Sequence, residues 1–323
     1  MKCPFPAAVN PHAEEINALT LEWVQHYEMV DDSQAFERIC ISKFGWLAAR
    51  AYPNAPIDRL KLVSDWNTWL FVIDDQCDEW YMGTHPRELN ALHMRCLEIL
   101  SGERPVAKDV PLIHSLYDFR LRIEAMMPLD WFIRFIHSVT EYFESTVWEA
   151  QNRASHTWPN PRLYIQMRPY TGGLYTDIDL IELTEQLSLP MPVRKHPVLQ
   201  LLMNITNNVV CWSNDIISLQ KEHAHHDMHN LAMVLHHRND ISLQEAVNRV
   251  AKTTQQQIAR FIAAEQRVPS FGGTIDRDVQ QLISVLRSWM RGNIDWSYES
   301  GRYFPMEEHH PVNTQSMVIE LST

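Results

Sequence analysis

HPVLQLLMNITNNVVCWSNDIISLQKE, residues 196–222, reads as one long helix with two characters. Most of it is apolar on nearly every side, the mark of a helix buried in a helical core. Near its C-terminal end Asn214, Ser218 and Glu222 recur at four-residue steps. Each step drifts only about 40° around a helix of 3.6 residues per turn, so the three face one way, and Lys221 joins their stripe. They offer an amide oxygen, a hydroxyl and a carboxylate. Such hard oxygen donors suit Mg²⁺, an ion that keeps several waters and recruits phosphate oxygens to complete its shell. Three polar residues on a solvated face would be the plainer account, but the apolar turns upstream do not belong on a surface.

A second polar group stands in FVIDDQCDEW, residues 71–80. Four carboxylates sit beside Phe71, Val72 and Ile73, and burying them is costly unless a cation compensates. Asp74 and Asp78 are four apart and share a helix face; Asp75 is rotated about 100° away. By itself this spacing fits a solvated acidic helix end equally well. The Asn214–Ser218–Glu222 stripe shifts that balance toward metal binding.

Composition agrees with a helical protein that has acids available for metal ions. Of 323 residues 45% are hydrophobic, enough for a large core, and only 9 are glycine, which disfavours helix interiors. The net charge of −12 excludes the basic face of a nucleic-acid binder. No apolar run is long enough to span a membrane, and MKCPFPAAVNPHAEE at the start lacks the apolar core of a secretory signal. The five cysteines have no paired spacing and read as reduced thiols of a cytoplasmic protein.

Helical periodicity recurs from end to end, with no sustained period-2 alternation, repeat or linker. Residues 31–52 and 57–82 read as one helix each, SHTWPNP at 155–161 as a loop, and 161–173 as a helix interrupted by Pro169 and the Gly172–Gly173 pair. The expectation is an all-α bundle of about ten helices. It forms a single domain over 1–323, with flexible ends at 1–14 and 307–323. KEHAHHDMH, with His223, His225, His226 and His229, reads as a solvated loop after the metal stripe rather than a zinc site.

These motifs together resemble the class I terpene synthases, most closely their bacterial members. DDQCD matches the aspartate-rich motif, and NDIISLQKE matches the second metal motif, N-D-x-x-S-x-x-K-E, at every position. Counting 46 residues back from Asn214 reaches Arg168, where bacterial members carry a diphosphate-sensing arginine, and the family's C-terminal Arg-Tyr pair appears as Arg302 and Tyr303. One departure is Thr171, which stands where many members place an aspartate linker; Gly172 then takes the effector position.

The resemblance implies three Mg²⁺ ions, with Mn²⁺ as a substitute. Asp74 with Asp78 would hold two of them, and Asn214, Ser218 and Glu222 the third. Arg168, Lys221, Arg302 and Tyr303 would donate hydrogen bonds to the diphosphate. It implies a cyclase that ionises farnesyl diphosphate and closes the carbocation to a sesquiterpene, with C10 or C20 diphosphates as alternative substrates. A chain-elongating prenyltransferase would carry a second aspartate-rich motif in place of Asn214–Ser218–Glu222. A non-enzymatic scaffold would leave the diphosphate donors without a purpose. Homodimers are common in the family. A carbocation also needs walls that stabilise charge without attacking it, which aromatic faces do. Phe71, Trp289 and Trp296 are the first candidates, with Trp66, Trp69, Trp80 and Trp212 behind them.

Overall fold

Helix is the only extended regular structure among the described residues, and no strand occurs there. The computed structural model describes residues 2–78, 81–225 and 227–304, with the side chains of all but 76–78 and 81. Fifteen α-helices run through them: α1 (Ala13–His26), α2 (Ser33–Ser42), α3 (Phe44–Ala51), α4 (Ile57–Asp78), α5 (Pro86–Leu100), α6 (Pro111–Glu124), α7 (Leu129–Ala154) and α8 (Pro161–Thr171), followed by α9 (Leu174–Thr184), α10 (Met191–Arg194), α11 (Pro197–Ile217), α12 (Leu219–Ala224), α13 (Leu231–Asn239), α14 (Leu243–Glu265) and α15 (Gly273–Glu299). A 3-10 turn at Tyr81–Thr84 follows α4.

Local sequence sets many of these boundaries. Pro86, Pro111, Pro161 and Pro197 stand in the first turns of α5, α6, α8 and α11, where a fixed φ helps and no backbone N–H is needed. Asp32, Asn230 and Ser242 accept hydrogen bonds from the first turns of α2, α13 and α14, removing orphan donors.

The helices are more numerous than the periodicity suggested. Residues 31–52 split at Lys43, whose φ of 51° is left-handed and ends α2 before α3 begins. Residues 196–222 divide at Ser218. This second break is slight, because Ser218 N–H still donates to Asn214 O (2.8 Å) and Glu222 N–H to Ser218 O (3.0 Å). The polar stripe therefore survives the division.

Helix α4 is the axis of the fold. It packs against α1, α3, α6 and α9, and Leu62 through Leu70 are buried without interruption. Polar side chains on this buried length need partners. Asp65 finds Lys61, Arg122 and Thr20, and Trp66 Nε1 donates to Thr176 Oγ1 at 2.9 Å. On the far side α11 runs along α14 and α15. Near the start of the chain Phe5 is buried, its ring edge-on to Phe261 at 5.6 Å, whereas 307–323 lies outside the described residues.

Candidate active site

Between α4 and the α11–α12 pair lies an outer cavity of about 360 Å³, which shares walls with an inner one of about 120 Å³. Asp74 from α4 and Asn214, Ser218, Lys221 and Glu222 from α11–α12 line the outer cavity, with Arg302 and Tyr303 from the segment after α15. The two motifs, 140 residues apart in the chain, thus meet across one space. Phe71, Asp74, Asn214 and Tyr303 line both cavities. Arg168, Thr171 and Gly172 line the inner one. The side chain of Asp78 lies outside the described residues, as do Trp80 and His226.

The outer cavity is held by charge pairs on its rim. Arg302 grips Asp75 with two parallel bonds (Nη1 to Oδ2 3.0 Å, Nη2 to Oδ1 2.8 Å), the planar match that guanidinium makes with carboxylate. Lys221 Nζ stands 3.8 Å from the same carboxylate. Burial raises the Asp75 carboxyl, but Arg302 and Lys221 more than reverse it and leave it below its ordinary value. So Asp75, the acid turned away from Asp74, ties the C-terminal segment to α4.

Asp74 and Glu222 are in a different state. Burial, with Asp75 beside it, pushes the Asp74 carboxyl up to about 6. Burial, with Asp215 and Asp227 nearby, pushes Glu222 up to about 8. Each is a half-buried acid short of positive charge, facing a space that also holds an amide and a hydroxyl oxygen. That donor set fits a hard divalent cation, which would supply the missing charge. Asn214 is already oriented: its Oδ1 accepts from Arg168 Nη2 (3.0 Å) and its Nδ2 donates to Tyr303 Oη (2.8 Å).

Arg168 is placed from behind by a residue that spacing alone did not single out. Its Nε donates to Asp215 Oδ1 at 2.8 Å, and Asp215 also accepts from Tyr164 Oη and Leu231 N–H, both at 3.0 Å. Asp215 follows Asn214 and points about 100° away, so it faces α8 instead of the cavity. Asn230 bonds Glu222 Oε2 at 2.7 Å while capping α13. Arg153 lines the outer cavity and pairs with Asp227 at 3.1 Å. Only the adjacency of Asp215 to the motif could have flagged any of these.

The chain breaks beside Arg168. Gly173 has φ 68° and starts α9 in the left-handed region, which glycine enters without Cβ strain. A Cβ on Gly172 would come within 2.5 Å of Cys211 Sγ, so only glycine lets the break press this closely on α11. Asn207 Nδ2 donates to Pro169 O at 2.8 Å, satisfying a carbonyl at the end of α8. Thr171, where the resemblance leads one to expect an aspartate, bonds Arg168, whose Nη1 donates to its Oγ1 at 3.4 Å.

Two readings of the aromatic and histidine residues change. Trp296 does not line the cavity. It sits behind the wall, 5.6 Å from Phe71 and 6.1 Å from Phe44, and its Nε1 donates to Ser42 O at 2.8 Å. Its helix phase turns it inward toward α3, whereas Trp289 does reach the inner cavity. Trp66 and Trp69 stack 5.5 Å apart in the core, and Trp212 is buried in the apolar cluster around α13 and α14. Phe71 lines both cavities, but its ring already carries the Arg302 guanidinium at 4.6 Å and stacks on Phe44 at 4.4 Å. His229 is buried, not solvated, because Asp227 holds its Nδ1 at 3.1 Å; His223 and His225 are exposed.

Known proteins are similar to this chain in sequence and in fold. The family described as "Terpene synthase family 2, C-terminal metal binding" matches residues 65–260. Germacrene A synthase of Nostoc punctiforme is 38% identical, over 94% of each chain. The (+)-T-muurolol synthase of Roseiflexus castenholzii, named as cyclizing (2E,6E)-farnesyl diphosphate, is 36% identical over 99% of this chain and 96% of its own. The structure of a cucumene synthase variant superposes with a TM-score of 0.83 at 27% identity, covering 94% of this chain and all of that one. With both motifs facing one cavity and relatives matched along almost the whole length, the chain belongs to the terpene synthase family.

Proposed function

We propose that this protein is a Mg²⁺-dependent carbon–oxygen lyase that ionises farnesyl diphosphate and cyclises the resulting cation. The observation that carries the reading is the meeting of Asp74 with Asn214, Ser218 and Glu222 across one cavity rimmed by Arg168, Lys221, Arg302 and Tyr303. The C15 substrate is supported by the relative whose name specifies farnesyl diphosphate. Asp74 and the Asn214–Ser218–Glu222 stripe would hold the metal, which as a Lewis acid offsets charge gathering on the leaving diphosphate.

The chain's own groups do the rest. Arg302, Lys221, Arg168 and Tyr303 present donors where the diphosphate would sit, fixed in advance by Asp75, Asp215 and Asn214, so little reorganisation is needed as negative charge develops. Phe71 stands between diphosphate and hydrocarbon compartments, and Trp289 offers a π face farther in. The inner wall also avoids trapping the cation. Burial raises the Cys211 thiol to about 11, so it stays protonated and is a poor nucleophile.

Incubating the purified protein with farnesyl diphosphate and Mg²⁺ tests the reading. Diphosphate release with cyclic C15 volatiles, abolished by chelator, is expected. Longer prenyl diphosphates, or no turnover of this substrate, would contradict it.

A further inference from the structure

Three polar side chains stand at the inner end of the cavity, in the compartment meant for hydrocarbon. Asn67 precedes Asp74 by seven residues on α4 and faces the same space about 10 Å deeper along the helix axis. Asn293 comes from α15, one turn past Trp289, and Asp177 from α9, one turn past Gly173. All three line the inner cavity, yet they are only 2%, 5% and 4% exposed.

Their hydrogen bonds are incomplete. Among the described residues, the amide nitrogens of Asn67 and Asn293 have no partner. The Tyr52 hydroxyl donates at 2.7 Å to the backbone oxygen of Asp177 and lies 3.5 Å from its Oδ1, a long contact. Each buried amide left without a partner costs about 1–3 kcal/mol. Proteins commonly meet such a deficit with a water molecule, which needs two to four polar partners and roughly 10–15 Å³ of space. The inner cavity offers both.

We infer that Asn67, Asn293 and Asp177 hold one water molecule at the floor of the cavity, and that this water captures the carbocation, making the product a C15 alcohol. This rests on the cyclase reading above. A lone pair on the water oxygen forms the new C–O bond to the cationic carbon. The oxonium then loses a proton to the released diphosphate, so prenyl diphosphate and water give alcohol and diphosphate with nothing left over. An asparagine amide can turn either its oxygen or its NH₂ to the cavity. With one amide donating its NH₂ to the water, the other amide's oxygen and the Asp177 carbonyl accept its two hydrogens, and one lone pair stays free for the cation.

Asp177 suits this role because burial holds its carboxyl well above the usual range. An ionised carboxylate beside a cation would take a proton or form an ester; the neutral acid is a much weaker base and nucleophile. The three are positioning residues, acting on the water and not on the diphosphate.

The test runs the full-length enzyme on farnesyl diphosphate and Mg²⁺ in ¹⁸O-water. Product composition is read by gas chromatography–mass spectrometry and normalised to diphosphate released. A main product that is a C15 alcohol carrying ¹⁸O is expected from the unaltered protein. In Asn67→Leu and Asn293→Leu, near in shape but unable to hold water, the alcohol share should fall by about tenfold with hydrocarbon in its place. A hydrocarbon-only product with brisk diphosphate release would overturn the water site and leave the cyclase reading intact. An alcohol share unchanged in both variants would overturn the assignment of these residues. Absence of diphosphate release would sink both readings together.

Discussion

The two ends of the cavity solve opposite problems. At the mouth, charges are dense and mutually supporting: Asp75 holds Arg302, Asp215 holds Arg168, and Asn214 links Arg168 to Tyr303. At the floor, Asn67, Asn293 and Asp177 stand among apolar walls with few partners. On the proposed function the mouth would bind a polyanion tightly, whereas the floor would leave a reactive cation alone until its capture. A buried polar group therefore means different things at the two ends.

The largest expected effect is at the mouth. Asn214→Ala removes an oxygen donor together with the partner of Arg168 and Tyr303. Turnover should fall by about 10³-fold, with circular dichroism unchanged; retained activity would remove Asn214 from the site. Next, Asp215→Ala strips the buried counter-charge from Arg168. Breaking such a pair costs about 3–5 kcal/mol, visible as a lower midpoint in thermal unfolding, and activity should drop because the guanidinium is no longer aimed. An unchanged midpoint would show the pair to be ornamental.

Proton linkage separates the ends more finely. Metal binding requires ionised carboxylates, and without metal Glu222 and Asp74 ionise only near 8 and 6. Lowering pH from 8 to 6 keeps a proton on Glu222 that the metal must displace. Affinity for Mg²⁺ should fall by about a hundredfold across that interval, tenfold per unit, and level off above it. Calorimetric titration in buffers of different ionisation enthalpy would show the proton release; a flat profile would mean the acids are not ligands. The smallest effect compares two tryptophans. Trp289→Phe, in the wall, should redistribute products. Trp296→Phe, behind it, should leave the product pattern alone while costing about 1–3 kcal/mol of stability. The same product shift in both would erase the distinction.

The mouth was legible in the sequence because its candidate ligands sit on single helices at four-residue steps. Asp74 belongs to one such step and Asn214, Ser218 and Glu222 to another, and the all-α fold followed from the same periodicity. The floor was not legible. Asn67, Asp177 and Asn293 come from three helices and obey no shared spacing; only packing brings them together. Trp296 was misplaced for a related reason: periodicity says that a face is buried, not whether it meets a cavity or a neighbouring helix. The breaks at Lys43 and Ser218 were also hidden, since neither residue is a strong helix breaker.

Crystals grown with Mg²⁺ and diphosphate would put the two-walled metal site to the test. One diphosphate should lie in the outer cavity, with metal ions linking it to Asp74 on one side and to Asn214, Ser218 and Glu222 on the other. Diphosphate bound elsewhere, or bound here with either wall making no metal contact, would contradict it.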